Sequence, residues 1–326
     1  MTKITNAATA ATSDVNDLAY YIPDSIPPEV QAYGSKKKLD QLGVGNPGKL
    51  GGLILGLERD EQNGKTAVKE QYSKVPLYTQ RALYLEEALP SMAYLYIISP
   101  SGGILQGDRY RMDIRLRKNA LAHITTQGAT RVYRMEKNFA TQMVNIDVSE
   151  GCYFEYIPDQ IIPYVDSRFY QVANLRVHDN ATLVYSEIMT PGRVARGESC
   201  AYDICYMKAK ATNQDGKLRF VDVAILEPKK RSMKAFGVLE NHDTVGSMYV
   251  LVPSKYVTGL NDKINTALNG FSKDLYVGTS ILPDNSGVIV RMLGDTANLL
   301  RNAAFEVVRE TRRTILDAPF SGIRKA

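Results

Sequence analysis

Ser101-Gly-Gly-Ile-Leu-Gln-Gly-Asp108, Thr125-Thr-Gln-Gly-Ala-Thr-Arg-Val-Tyr-Arg134 and Glu187-Ile-Met-Thr-Pro-Gly-Arg-Val-Ala-Arg-Gly-Glu198 are three turn-bearing sequences within one stretch, 101–198. Between them run short segments in which apolar and polar residues alternate, the period of a half-buried β-strand. No nucleophile stands beside a base in this stretch, and no closed metal cage or phosphate-cradling loop is present. A long β scaffold with polar turns and no catalytic set points to a protein that holds, covers or conducts something.

The same stretch carries a weak internal repeat. Asp113-Ile-Arg-Leu-Arg-Lys-Asn-Ala-Leu-Ala-His-Ile-Thr-Thr126, Asn145-Ile-Asp-Val-Ser-Glu-Gly-Cys-Tyr-Phe-Glu-Tyr-Ile-Pro158 and Asn174-Leu-Arg-Val-His-Asp-Asn-Ala-Thr-Leu-Val-Tyr-Ser-Glu187 follow one plan. Each has alternating apolar residues, a polar turn ending in Asn or Gly, a small residue and a second strand. The small residues are Ala120, Cys152 and Ala181. Units repeating at this interval stack so that each buries its neighbour's apolar face. The fold expected is mainly β, with stacked sheets in a β-helix or solenoid-like arrangement; a sandwich of hairpins is the other architecture the pattern allows.

Toward the N-terminus, Asp60-Glu-Gln-Asn-Gly64 separates two strand patterns, and an Asn-Gly pair so placed marks a hairpin. Ala93-Tyr-Leu-Tyr-Ile-Ile98 is an apolar run suited to a strand covered on both faces. Residues 1–47, rich in Ala, Thr, Asn, Ser, Pro and Lys, read as a flexible leader, or as an arm that docks through Leu18-Ala-Tyr-Tyr-Ile22. Toward the C-terminus, Asn213-Gln-Asp-Gly216 and Pro283-Asp-Asn-Ser-Gly287 mark two more hairpins. Val257, Leu260, Ile264 and Leu268 lie at helical spacing; so do Leu300, Ala304, Val307, Val308, Thr311 and Ile315. Two helices near the C-terminus follow, the second capped by Asp295 or Thr296. Arg301, Arg309, Arg312 and Arg313 lie mostly off its stripe, and its charged face is expected in water or against a partner.

The 326 residues suffice for one large domain or two ordinary ones, and at 44% hydrophobic they can bury a sizeable core. A net charge of +5 is modest at this length, and the basic runs Lys36–Lys38 and Lys229–Arg231 carry no interleaved aromatics. They read as solvated loops, and no nucleic-acid partner is expected. Three cysteines, Cys152, Cys200 and Cys205, are not a disulfide framework, which favours a reducing compartment. The first residues lack a signal-peptide core, and no window nears the ~20 apolar residues of a membrane span, so a soluble, cytoplasmic protein is expected.

Gly102 to Asp108 lacks both the Walker Lys and dinucleotide spacing. It reads as a tight turn in which Asp108 bonds a backbone amide, or as a turn that sets Asp108 on a polar interior surface. His123, His178 and His242 match no zinc spacing and read as structural. Glu187 and Glu198 bracket a Pro-Gly turn that also holds Arg193 and Arg196. They form Glu–Arg braces, or else a partly buried carboxylate that holds a divalent cation. Hard oxygen ligands bind nickel less tightly than imidazole or thiolate, which suits an ion that must also leave.

These segments resemble the urease accessory protein family UreD, also called UreH. The signatures are Gly102, Gly103 and Gly107 before Asp108; Thr125, Thr126 and Gln127 followed by Tyr133; Pro158-Asp-Gln-Ile-Ile-Pro-Tyr164 with Pro163; and Gly192, Arg193 and Gly197 between Glu187 and Glu198. Arg131 stands where the family pattern leads one to expect Lys. The resemblance covers residues 48–326 as one UreD-like mainly-β domain. It implies a non-enzymatic role in building the nickel centre of urease, with apo-urease subunits and UreF as partners and the GTPase UreG joined through UreF. No cofactor would be tightly bound. Nickel would be in transit through an internal polar passage, with Asp108 and Glu187 beside it and Glu198 as a further candidate. Two other classes remain open on sequence: a docking adaptor with no ion contact, and a β-solenoid enzyme acting on carbohydrate through paired carboxylates.

Overall fold

The computed structural model describes residues 15–34, 46–271, 273 and 275–323. The Lys36–Lys38 run and the first fourteen residues of the expected leader lie outside the described residues. Residues 15–34 pack on the body of the protein. A 3-10 turn at Leu18–Tyr21 is capped by the Asp17 side chain, and a short helix α1 (Pro28–Gln31) follows. Tyr20 donates its hydroxyl to Asp113, and the Arg111 guanidinium lies 3.9 Å over the Tyr20 ring. Tyr21 and Val30 are fully buried. Burial of such side chains, about 1.5–3 kcal/mol each, is what holds the arm down.

The body begins with an antiparallel hairpin of β1 (Leu50–Arg59) and β2 (Thr66–Lys74), closed by the Asp60–Gly64 turn. β3 (Tyr78–Thr79) then pairs antiparallel with β4 (Ala93–Ile98). Three coils follow. The first is β5 (Arg109–Arg117), β6 (Leu121–Thr126) and β7 (Thr130–Val132). The second is β8 (Ala140–Val148), β9 (Tyr153–Tyr156) and β10 (Ile161–Pro163). The third is β11 (Arg168–Val177) and β12 (Thr182–Met189). The chain closes with β13 (Ile204–Thr212), β14 (Leu218–Leu226), β15 (Thr244–Leu251), helix α2 (Ser254–Leu268), β16 (Leu275–Ile281), β17 (Val288–Gly294) and helix α3 (Ala297–Ile315).

Each coil gives one strand to each of two facing sheets. Across the first sheet, β1, β5, β8, β11 and β13 are parallel; across the second, β4, β6, β9 and β12 are parallel. This is a β-solenoid with antiparallel strands at its ends, and the parallel pairing excludes a sandwich of hairpins. β7 and β10 form a short third side. The small residues Ala120, Cys152 and Ala181 sit at the same corner of successive coils, at most 2% exposed. There Tyr153 N donates to Ala120 O at 3.0 Å and Thr182 N to Cys152 O at 2.9 Å. Strands spaced about 4.8 Å apart stack these small side chains one above another at the buried corner.

One core lies between the sheets, around Leu55, Ile114, Ile146, Leu175, Leu95 and Phe154. A second lies outside the second sheet, where α2 and α3 lay Val257, Leu260, Ile264, Leu300 and Val307 on Val184, Met248 and Val250. Thr296 caps α3, accepting from Leu299 N. The charged face expected on α3 needs one correction: Arg312 is fully buried. Its guanidinium is paired with Glu155 at 2.6 and 2.7 Å and with Glu86 at 2.5 Å. A helical wheel treats Arg as a surface residue; here a buried carboxylate on β9 calls it inward. Among the described residues no helix is long and apolar enough to cross a membrane.

Candidate functional site

The inward positions of β8 and β11 read Ala140, Gln142, Val144 and Phe169, Gln171, Ala173. In each strand a polar residue interrupts an apolar face. Gln142 and Gln171 are register partners in parallel strands, so their side chains stack. Gln142 Nε2 donates to Gln171 Oε1 at 2.8 Å, and Gln171 Nε2 donates to Glu187 Oε1 at 2.8 Å. The Tyr185 hydroxyl donates to the same oxygen at 2.7 Å. A polar ladder therefore crosses the interior from the first sheet to the second.

The ladder borders a cavity of about 340 Å³. That is room for on the order of ten waters at about 30 Å³ each. Gly102, Gly103, Thr126, Gln127, Thr130 and Arg131 line one part of it; Tyr110, Gln142, Gln171, Tyr185 and Glu187 line another. Segments far apart in sequence meet here because the turn sequences follow β4, β6 and β12 and so lie on the same side of stacked coils. Gly103 is required by close approach: a Cβ there would lie 2.5 Å from the Tyr133 ring and 2.6 Å from Arg131 O. At Gly192, φ is +139° and a Cβ would meet Glu198 O at 2.8 Å and Pro163 O at 3.1 Å. Thr125 is buried and donates to Ile157 O at 2.6 Å, whereas Thr126 accepts from Asp159 N at 2.9 Å. Gly197 ends a 3-10 turn in the left-handed region.

The three candidate carboxylates part company. Only Glu187 lines the cavity. Asp108 is fully buried and accepts from Lys49 N at 2.8 Å, Leu105 N at 2.9 Å and Tyr110 OH at 3.0 Å. Lys49 Nζ lies 3.1 Å away. Asp108 thus sits one side chain behind the cavity wall, tying the strand entries together. Glu198 pairs with Arg193, which stacks 4.1 Å over the Tyr164 ring. That is one of the Glu–Arg braces the turn suggested, and the hydrogen bond from Arg193 holds Glu198 below the usual carboxylate range.

Burial raises the pKa of Glu187, and nearby Asp222 adds to the rise against the bonds from Tyr185 and Gln171. Cys205 lies close by, but burial pushes its thiol up to about 12, so it stays protonated. A cation reaching this cavity would meet two carboxylates, Glu187 and Asp159, with amide oxygens, phenols and the Arg131 side chain. Such a hard, sparse donor set holds a divalent ion loosely. Among the described residues no three His, Cys, Asp or Glu side chains form a group able to cage a metal.

Beyond Glu187 the polar series continues. Ser247 is the register partner of Glu187, and Arg291 that of Ser247. Arg291 bonds Ser247 Oγ and Asp222 Oδ2, each at 2.5 Å, and Tyr249 donates to Asp222. Sequence reading missed Gln142, Gln171, Asp222 and Arg291. The signal for the two glutamines was present: a polar residue at the inward phase of an alternating strand, in two consecutive repeats.

A family model described as UreD urease accessory protein matches residues 50–325. A urease accessory protein UreD of Cenarchaeum symbiosum is 41% identical over 287 residues, covering 88% of this chain and all of the relative. A UreD 2 of Streptomyces griseus is 37% identical, covering 88% and 97% respectively. Another from Brucella canis is 35% identical, covering 86% and 92%. With a matching family model across the whole solenoid and relatives above a third identical over nearly their full lengths, this chain belongs to the UreD urease accessory protein family.

Proposed function

We propose that this protein matures urease without doing chemistry of its own: it docks on apo-urease and, with UreF and the GTPase UreG, passes nickel through its interior. The observation that carries this reading is the Gln142–Gln171–Glu187 ladder beside a cavity of about 340 Å³ in a chain of this family. Polar side chains inside a β-solenoid cost stability unless they are hydrogen-bonded, and this bonded series beside a cavity offers a hydrated cation a polar path. Glu187 is the buried carboxylate on the route. Asp108 steadies Tyr110 on its wall, and the Glu198–Arg193 pair steadies the adjoining turn.

Glu187→Gln keeps an acceptor for Gln171 and Tyr185 and removes only the charge. Nickel content of urease matured with this variant is expected to fall at least several-fold, while the variant still co-purifies with the urease subunits. Full loading with Glu187→Gln would remove Glu187 from the route. Loss of co-purification with the unaltered protein would refute the scaffold reading itself.

A further inference from the structure

The two C-terminal helices cover the outer face of the second sheet over β12, β15 and β17, and only the last turn of α3, through Arg312 and Ile315, reaches the β4 end of that face. There, Tyr94, Tyr96 and Ile98 of β4 form one wall of a cleft of about 870 Å³. The segment Leu83–Ala88 and the tail Pro319–Ile323 form the others. Leu85 on its rim is 51% exposed.

Among the described residues the charge of the cleft is unbalanced. Glu86 and Glu87 line it, and Glu155 lies buried behind Tyr94. Against them stands Arg312, whose nitrogens are fully engaged. Nε and Nη2 bond Glu155, Nη2 also bonds Tyr94 OH at 2.9 Å, and Nη1 bonds Glu86 Oε2. Glu86 Oε1 is buried with no hydrogen-bond partner among the described residues. Glu87 beside it is exposed and lines the cleft, and its carboxylate is the acid an occupant can reach. Apolar Leu83, Leu85, Ile98 and Ile323 surround it. An occupant must therefore bring a cation and apolar surface together, as a protein segment does.

We propose that this cleft receives an arginine or lysine side chain carried on an apolar-flanked segment of a protein partner. Gln127 lines both this cleft and the interior cavity, so the docked partner would sit beside the cavity. The inference rests on the reading that the chain works by assembling with urease and its other accessory proteins.

The test uses the full chain with a photo-crosslinking residue in place of Leu85, assembled with urease subunits, UreF and UreG. Crosslinks are expected on one segment of one partner, within a few residues of an Arg or Lys. Glu87→Lys should weaken binding of that partner about tenfold or more, since a like charge replaces an attractive one. Glu87 makes no bond to Arg312, so this variant should melt like the parent protein; Glu86→Gln, which touches the buried network, should weaken the same partner. Crosslinks to segments without a basic residue, or Glu87→Lys binding as the parent does, would overturn the cleft proposal and leave assembly standing. A parent chain that assembles with none of these proteins would overturn both.

Discussion

Two buried glutamates show how neighbours decide the state of one side-chain type. Burial alone would raise Glu155, but Arg312 and His123 outweigh it and hold its pKa at about 2. Glu187 has amide and phenol donors, and the Arg291 cation acts on it less than Asp222 does, so burial wins and its pKa rises. A carboxyl whose folded pKa lies above its unfolded value favours the fold while protonated. That contribution is complete below the unfolded pKa of about 4.3 and is lost as pH rises through the higher folded value. Glu187→Gln lacks this loss. The stability of the variant relative to the parent, from urea unfolding between pH 4 and 8, is expected to grow with pH and then level off. A difference independent of pH would show that Glu187 is ionised at no cost. Together with the expected fall in nickel loading, this would be a functional residue kept at the expense of stability.

The helix α3 depends on one side chain. Arg312 reaches across 157 positions of sequence to Glu155. The Phe320 ring lies 4.5 Å from its guanidinium, and the same ring stacks with His123. Removing one partner of a buried ionic network leaves the others uncompensated, at about 3–5 kcal/mol. Arg312→Met should therefore lower unfolding stability by that order and speed hydrogen exchange along 297–315. Adding Glu155→Gln should recover a good part of the loss. A cost below about 1 kcal/mol, the scale of a surface pair, would mean that the network is solvated. Sequence alone placed this helix, its Thr296 cap and its apolar stripe correctly, because those are local matters of period and capping. It put Arg312 on the wrong side, because nothing within a helical turn of that residue signals Glu155.

At the scale of the whole molecule, the solenoid is sealed on its first sheet by the N-terminal arm. Val30 packs in a cluster with Phe139, Tyr170, Ile204 and Tyr206. Deleting residues 1–34 should expose that cluster, with increased binding of a hydrophobic dye and a lower melting temperature, while far-ultraviolet dichroism keeps its β character. Unchanged melting and no added dye would show that the arm is dispensable to the fold. Much of this architecture was legible in the chain. Strand alternation, the corner residues Ala120, Cys152 and Ala181, the Asn-Gly and Pro-Gly turns and the order of the four family signatures are all readable along a single line. They are governed by which face a residue presents and by how closely two backbones approach, and both follow from local period and side-chain size. The site was another matter. Asp108 and Glu198 each follow a glycine and Glu187 stands near the end of a strand, and nothing along the chain ranks these three acids, yet one ties strand entries together, one borders a cavity and one braces a turn. Their roles are set by which donors reach their oxygens. Those donors, Lys49, Gln171 and Tyr185, and Arg193, come into reach through parallel register and turn geometry that only the assembled coils define.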